Sequence, residues 1–404
     1  MTDFDLCIVG AGVVGLALAR SLSTHYSVLV IEQHDRIGSE TSARNSEVIH
    51  AGLYYPANSL KERLCIRGRK LLYDYCQTHH VEHQQIGKLI VAPTADHPKL
   101  AALASNAKRL GIPLTLFDRQ QLHKMEPEVA AEAALWSPET GIIDSHGLMV
   151  SLLSQAQQQG ATLTLNTRFR SAHPVSPLAS NRAGQKEKQG HWQVSVDTAD
   201  GPFEFSCNTL INSAGLNAVD LYQALNTTQP PSTDQSEQQS KPERDEPELQ
   251  QWPARGHYFS YQGRSPFSHL VYPLPEPGLA GLGIHATLDL GKQLRFGPDV
   301  QFLTRSQYQS NQRYAVAENL KEHFAEAIRQ YWPTLDSTRL QPDYAGIRPK
   351  LSGPGMAARD FEIQTQQIQQ ATLVNLLGIE SPGLTASLAI AEYVTEQLLE
   401  GRNM

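Results

Sequence analysis

Cysteine is scarce in this chain: Cys7, Cys65, Cys76 and Cys207 are the only four in 404 residues, and none shows CxxC or Cys/His ligand spacing. That pattern excludes a disulfide framework and a structural zinc site, so free thiols, a reducing compartment and no metal are expected. A basic excess is also missing. Lys and Arg total 34 against 41 Asp and Glu, a net charge of −7, which excludes the broad positive face that nucleic-acid phosphates require. No apolar run approaches the roughly 18 residues of a membrane-spanning helix. The opening MTDFDLCIVGAG lacks a basic leader region and enters a strand within a few residues. It resembles neither a secretory signal nor a transit peptide, and the chain is expected to begin here and to be cytoplasmic, with peripheral contact at the inner membrane left open. Aromatics are few, at 7%, yet 40% hydrophobic and 19% charged residues are ordinary for a globular protein with a sizeable core.

At 404 residues the chain exceeds what one core usually organises, and about 150 residues per domain suggests two or three. The first 32 residues read as a βαβ unit: a strand over Leu6 to Val9, a helix over Val13 to Ser23, and a strand over Ser27 to Glu32. Between the first strand and the helix, GAGVVG has GxGxxG spacing. Gly10 permits the tight turn, Gly12 lets backbone approach a pyrophosphate, and Gly15 lets helix and strand pack closely, with the helix N-terminus toward the phosphates. Glu32 ends the second strand, where its carboxylate suits ribose hydroxyls and would repel a 2′-phosphate. The motif points to a dinucleotide without choosing between NAD and FAD.

Two later stretches favour FAD. TLINSAG (209 to 215) reads as a strand returning to the nucleotide-binding unit. LVNLLGIESPGLT (373 to 385) reads as a strand and a Pro-Gly turn opening the final helix, whose N-terminus would stabilise negative charge on a reduced flavin. Residues 77 to 140 carry Pro-punctuated strands and a helix around Leu100 to Leu110, and residues 252 to 332 begin as strands and turn helical from Tyr314 to Tyr331. The expected division is therefore 1–76, 141–226 and 340–404 for a discontinuous FAD-binding domain, and 77–140 with 251–339 for a substrate domain. Residues 227–250 are polar and Pro-rich and read as a mobile loop, with a shorter polar loop at about 174 to 190.

The stretches TSARNSEVIHAGLYYP, SLKERLC, GLGIHATLDL, FGPDV, DYAGIRPKLSGP and LVNLLGIESPGLTASLAIAEYV, together with GAGVVG, span nearly the whole chain. In these motifs the sequence resembles the L-2-hydroxyglutarate dehydrogenase family, a branch of the D-amino-acid-oxidase-like flavoproteins. The resemblance implies an α/β fold (α+β overall), with a Rossmann-like FAD-binding domain and an inserted mixed-sheet substrate domain. It implies FAD as cofactor and a small 2-hydroxy acid as substrate; the sequence does not choose the electron acceptor among a quinone, an electron-transfer or other flavoprotein, and oxygen. It also places Ser42, Arg44, Asn45, Ser46 and Gly215 around the cofactor, with the turn carrying Gly378, Gly383, Leu384 and Thr385 completing the site.

His50, in a loop expected to pass the flavin, has three readings: a base for the substrate hydroxyl titrating near neutrality, a residue packed on the ring, or a covalent flavin link. Arg348 offers a planar fork for a substrate carboxylate; its bland alternative is an interface salt bridge. A second carboxylate needs further donors, for which Lys61, Tyr55, Tyr272 and His285 are the candidates. His257 receives no role. Three functions are carried forward: FAD-dependent oxidation of L-2-hydroxyglutarate, oxidation of glycerol 3-phosphate or an amine on the same fold, and a non-catalytic FAD-binding assembly protein.

Overall fold

The computed structural model describes residues 2–176, 190–227, 249–274 and 283–400. Residues 228–248 of the polar loop expected at 227–250, and most of the shorter one, lie outside the described residues.

The N-terminal βαβ forms as its pattern predicts, with strands Phe4–Val9 and Val28–Ile31 flanking the helix Val13–Leu22. All four residues of the second strand are buried, as expected for a parallel strand covered on both faces. Phe4–Val9 pairs in parallel with Val28–Ile31 on one side and with Gly201–Asn212 on the other. The sheet continues in parallel to Thr162–Thr164 at one end and Ala371–Leu377 at the other, with Glu362–Ile368 added antiparallel. The antiparallel strands Arg168–Val175 and His191–Thr198 complete eight strands. Helices Val13–Leu22, Leu60–His79, Ser145–Gln158 and Gly383–Glu400 cover it through one shared apolar core. The returning strands near 209 and 373 thus join the nucleotide-binding sheet.

A second sheet of nine strands carries Lys88–Ala92, Thr115–Asp118, Ala133–Ser137, Trp252–Tyr261, Leu270–Pro273 and His285–Leu288 among its members. Its core packs on the helix Lys321–Arg329 through Phe324, Ala325 and Ile328.

Two boundaries differ from the sequence reading. The strand Leu340–Lys350, grouped there with the FAD-binding segments, pairs antiparallel with Trp252–Tyr261 in the nine-stranded sheet. The chain returns to the other sheet only after Lys350, because long-range pairing assigns a strand and local composition does not. The helix expected from Tyr314 begins with a short 3₁₀ turn at Glu318. Ala317 is extended, and Tyr314 is drawn against Arg44, whose guanidinium lies 4.2 Å from its ring centre.

All four cysteines are free and buried. Among the described residues, no helix is long and apolar enough to cross a membrane.

Candidate active site

One cavity of about 820 Å³ runs from the glycine turn of the first sheet to the face of the second, near the upper end of the roughly 300 to 1,000 Å³ usual for small-molecule sites. At its nucleotide end Gly10 has φ +105°, and a Cβ there would stand 2.7 Å from the Ser213 carbonyl oxygen. At Gly15 a Cβ would come within 2.0 Å of the Gly10 oxygen, so helix and turn can approach this closely only without side chains. The helix N-terminus at Gly12 has no side-chain cap of its own. Ser42 serves it from the neighbouring loop, its Oγ accepting from the Val13 N–H at 3.0 Å. Buried Glu32 accepts from the Ala11 N–H at 2.8 Å and the His34 N–H at 3.0 Å, which fixes its carboxylate beside the turn.

The loop after Glu32 crosses the second sheet. Thr41 Oγ1 donates to the Ile347 carbonyl, Tyr344 Oη donates to the Asn45 carbonyl, and at Gly346 a Cβ would lie 2.0 Å from the Arg44 oxygen. Asn45 braces the loop internally, donating to the Ser42 carbonyl and accepting from the Glu47 N–H. Arg44 keeps a buried Nε with no hydrogen-bond partner. A helix N-terminus with glycine at its cap position, and a buried guanidinium nitrogen without a hydrogen-bond partner on the same wall, are the kind of donors a pyrophosphate would need. These residues fit FAD. Ser46, Gly215, Gly383 and Leu384 line the cavity as expected. Gly378 and Thr385 do not reach its wall; Thr385 is fully buried and ties the His50 backbone instead.

His50 follows the short strand Val48–Ile49 and lines the cavity. Its N–H donates to Thr385 Oγ1 at 3.1 Å, its carbonyl accepts from Cys65 Sγ, and its Nε2 lies 3.4 Å from Ser381 Oγ. The helices Leu60–His79 and Gly383–Glu400 therefore hold this residue from both sides. Burial, followed by the charge of Lys88, pushes the imidazole down to about 3, so at neutral pH it carries no proton beyond its neutral form. This departs from the titration near neutrality expected from the sequence, because desolvation disfavours the imidazolium.

The candidate carboxylate partners divide into two groups. Arg348 lines the cavity, with Nη2 donating to the Asp299 carbonyl at 2.8 Å. Asp299 is itself gripped by buried His257, whose Nδ1 stands 2.9 Å from each carboxylate oxygen. His257, given no role from sequence, thus steadies the loop on which Arg348 rests. Lys61 lines the cavity too, but its Nζ is spent on Glu380 and the Arg359 carbonyl, both at 3.0 Å. Burial would raise the Glu380 carboxyl, yet the ammonium groups of Lys61 and Lys350 outweigh it and hold it below the usual carboxylate range. Lys61 therefore serves an internal ion-pair cluster, which argues against the carboxylate role expected for it. Tyr55, Tyr272 and His285 line the cavity, and the last two are stacked with ring centres 3.6 Å apart.

Lys88, Glu380, Asp299 and Tyr54 were not singled out in the sequence. For Lys88 a signal was available: a lysine opens KLIVA, a strand of five buried residues, where a charge has no packing use.

The family model described as FAD dependent oxidoreductase matches residues 5–397. The L-2-hydroxyglutarate dehydrogenase, mitochondrial, of Arabidopsis thaliana is 39% identical over 98% of this chain and 83% of its own length. The protein of that name from Caenorhabditis elegans is 27% identical over 99% and 94%. Among solved structures, the FAD-bound L-alpha-glycerophosphate oxidase of Mycoplasma pneumoniae superposes with a TM-score of 0.78 at 24% identity, over 96% of this chain and 93% of that one. FAD is the cofactor this cavity takes, and the chain belongs to the FAD-dependent oxidoreductases, in the L-2-hydroxyglutarate dehydrogenase family.

Proposed function

We propose that the chain oxidises L-2-hydroxyglutarate to 2-oxoglutarate. The observation that carries this reading is a single cavity wall that joins a dinucleotide cradle, an unprotonated imidazole at His50 and a forked cation at Arg348. When bound, FAD supplies the acceptor for the hydride that leaves the substrate Cα. The chain's own residues do the rest. Arg348, anchored through Nη2 alone among the described residues, offers its remaining N–H groups to the C1 carboxylate and orients the Cα–H. His50 Nε2 receives the hydroxyl proton as the carbonyl forms. A conjugate acid near 3 makes a weak base before substrate binds, but an anionic substrate beside it favours the imidazolium and strengthens the base where it is needed.

Anaerobic mixing of the flavin-loaded protein with L-2-hydroxyglutarate, its D enantiomer, glycerol 3-phosphate and sarcosine tests the reading. Bleaching of the flavin by the L acid alone is expected. Bleaching by glycerol 3-phosphate or sarcosine instead would overturn it.

Arg348→Lys keeps the charge and loses the fork. A bidentate charged contact contributes about 1.5–3 kcal/mol, so kcat/KM should fall by about 10- to 100-fold with flavin content unchanged. Unaltered steady-state kinetics would return Arg348 to an interface role.

A further inference from the structure

Lys88 is 1% exposed, at the start of a strand held in parallel by Leu270–Pro273 and antiparallel by Ala133–Ser137. Its Nζ lies 4.7 Å from the centre of the Tyr54 ring and 4.6 Å from that of Tyr272. Both rings line the cavity. Around Lys88 stand His50 from the loop after Val48–Ile49, Tyr54, Cys65 on the helix Leu60–His79, and Tyr272 with His285 stacked behind it. Arg69, close to Cys65, is taken by Glu139 and the Ala51 carbonyl. The Cys65 thiol is pushed up to about 12 by burial and stays neutral. Among the described residues, then, no carboxylate and no hydrogen-bond acceptor reaches the Lys88 ammonium.

A buried ammonium without a counter-ion is costly, and proteins retain one where it meets an anion or loses its proton. Burial pushes Lys88 down to about 7, so near neutral pH its charge is gained or lost at little cost. The ammonium lies against the two rings that line the cavity. An ammonium on the face of a phenol ring withdraws electron density and strengthens the hydroxyl as a donor.

We propose that Lys88 is a positioning residue that makes the cavity prefer a dicarboxylate: arrival of the second carboxylate at the Tyr54 and Tyr272 side of the cavity draws a proton onto Nζ, so that ligand binding and protonation of Lys88 are one event. This deepens the reading above and rests on it for the dianionic substrate. The role expected of Lys61 passes to Lys88, because the Lys61 ammonium is already held by Glu380 and the Arg359 carbonyl. No bond other than the N–H is made, and the proton comes from solvent. The charge set free near His50 when Lys88 is protonated is offset by the incoming carboxylate.

The test uses flavin-loaded enzyme with glutarate, a dicarboxylate with no hydroxyl to oxidise, and butyrate as its monoanionic counterpart. Dissociation constants come from the flavin absorbance change, and proton uptake from calorimetry in buffers of different ionisation enthalpy. At pH 8 the free lysine is mostly neutral, so glutarate should take up close to about one proton; at pH 6 the lysine is already charged and uptake should be near zero. By the same sign, kcat/KM for L-2-hydroxyglutarate should fall as pH rises through about 7, since that ratio reports groups of the free enzyme. Lys88→Met should abolish the uptake and cut the glutarate-over-butyrate preference by about 10- to 100-fold. Lys88→Arg should keep the preference with no uptake.

Wild-type enzyme that binds glutarate at pH 8 without taking up a proton would overturn the proposal even if neither variant folds. So would a Lys88→Met protein of full flavin content with the wild-type preference. If L-2-hydroxyglutarate bleaches the flavin and the uptake is absent, only the role of Lys88 fails. If the uptake is present and L-2-hydroxyglutarate does not bleach it, the substrate reading fails while the dicarboxylate site stands.

Discussion

His50→Gln is expected to slow reduction of the flavin by L-2-hydroxyglutarate by about 10²- to 10⁴-fold, the usual span for loss of a general base. Glutamine keeps hydrogen-bonding capacity and approximate size while removing the proton acceptor. The backbone contacts to Thr385 and Cys65 do not involve the imidazole, so the loop and the flavin content should survive. The pH dependence separates base from packing. With the free imidazole held near 3, the second-order rate of reduction at low substrate, which reports the free enzyme, should show no acid limb at the usual histidine range; its limb should lie well below neutrality and disappear in the variant. Stopped-flow reduction across pH reads both. Rapid reduction by His50→Gln would leave His50 as a residue packed beside the flavin. A yellow pellet after acid precipitation of the wild type would instead show a covalent link.

Gly346→Ala is expected to cost the protein its cofactor. The added methyl would stand 2.0 Å from the Arg44 carbonyl oxygen, a backbone atom that no rotamer change can move aside. Overpacking of a well-packed site typically costs about 1–3 kcal/mol, and here relief requires the 41–46 loop to lift from the strand. Thr41 and Tyr344 would lose their cross-loop hydrogen bonds, and Arg44 and Ser42 would leave the phosphate wall. Affinity for FAD should drop by about 10-fold or more, with the added methyl acting through the loop rather than the chemistry. The flavin-to-protein ratio after gel filtration measures this. Gly355→Ala is the comparison: its φ of +73° is strained for alanine, but nothing lies within 4 Å of the new methyl. It should lower Tm modestly and retain the flavin, and equal flavin retention in both variants would refute the account.

The nucleotide end of the site was legible in the sequence because its requirements are local. Gly10, Gly12 and Gly15 fall within one turn, and Glu32 follows seventeen residues after Gly15, so spacing alone carries the geometry. His50 and the Pro-Gly turn were likewise marked by motifs a few residues long; His50, Gly383 and Leu384 line the cavity, while Gly378 and Thr385 do not. The second sheet was a different matter. Leu340–Lys350 looks by composition like part of the return to the first sheet, and only its register against Trp252–Tyr261 places Arg348 over Asp299. Lys61 was a candidate donor in the sequence, and only folding brings Glu380, 319 residues further on, to hold its ammonium.

What the sequence determined by itself is the βαβ with its dinucleotide turn, the two strands that return to it and the chemical types available: imidazoles, forked cations, tyrosines. What only the tertiary structure decided is which of those groups are charged. A side chain's ionisation depends on the water it loses and on the charges it meets, and both are set by segments far apart in the chain. The sheet buries Lys88 beside Tyr54 and Tyr272 and lowers it to about 7, and desolvation with the charge of Lys88 lowers His50 to about 3.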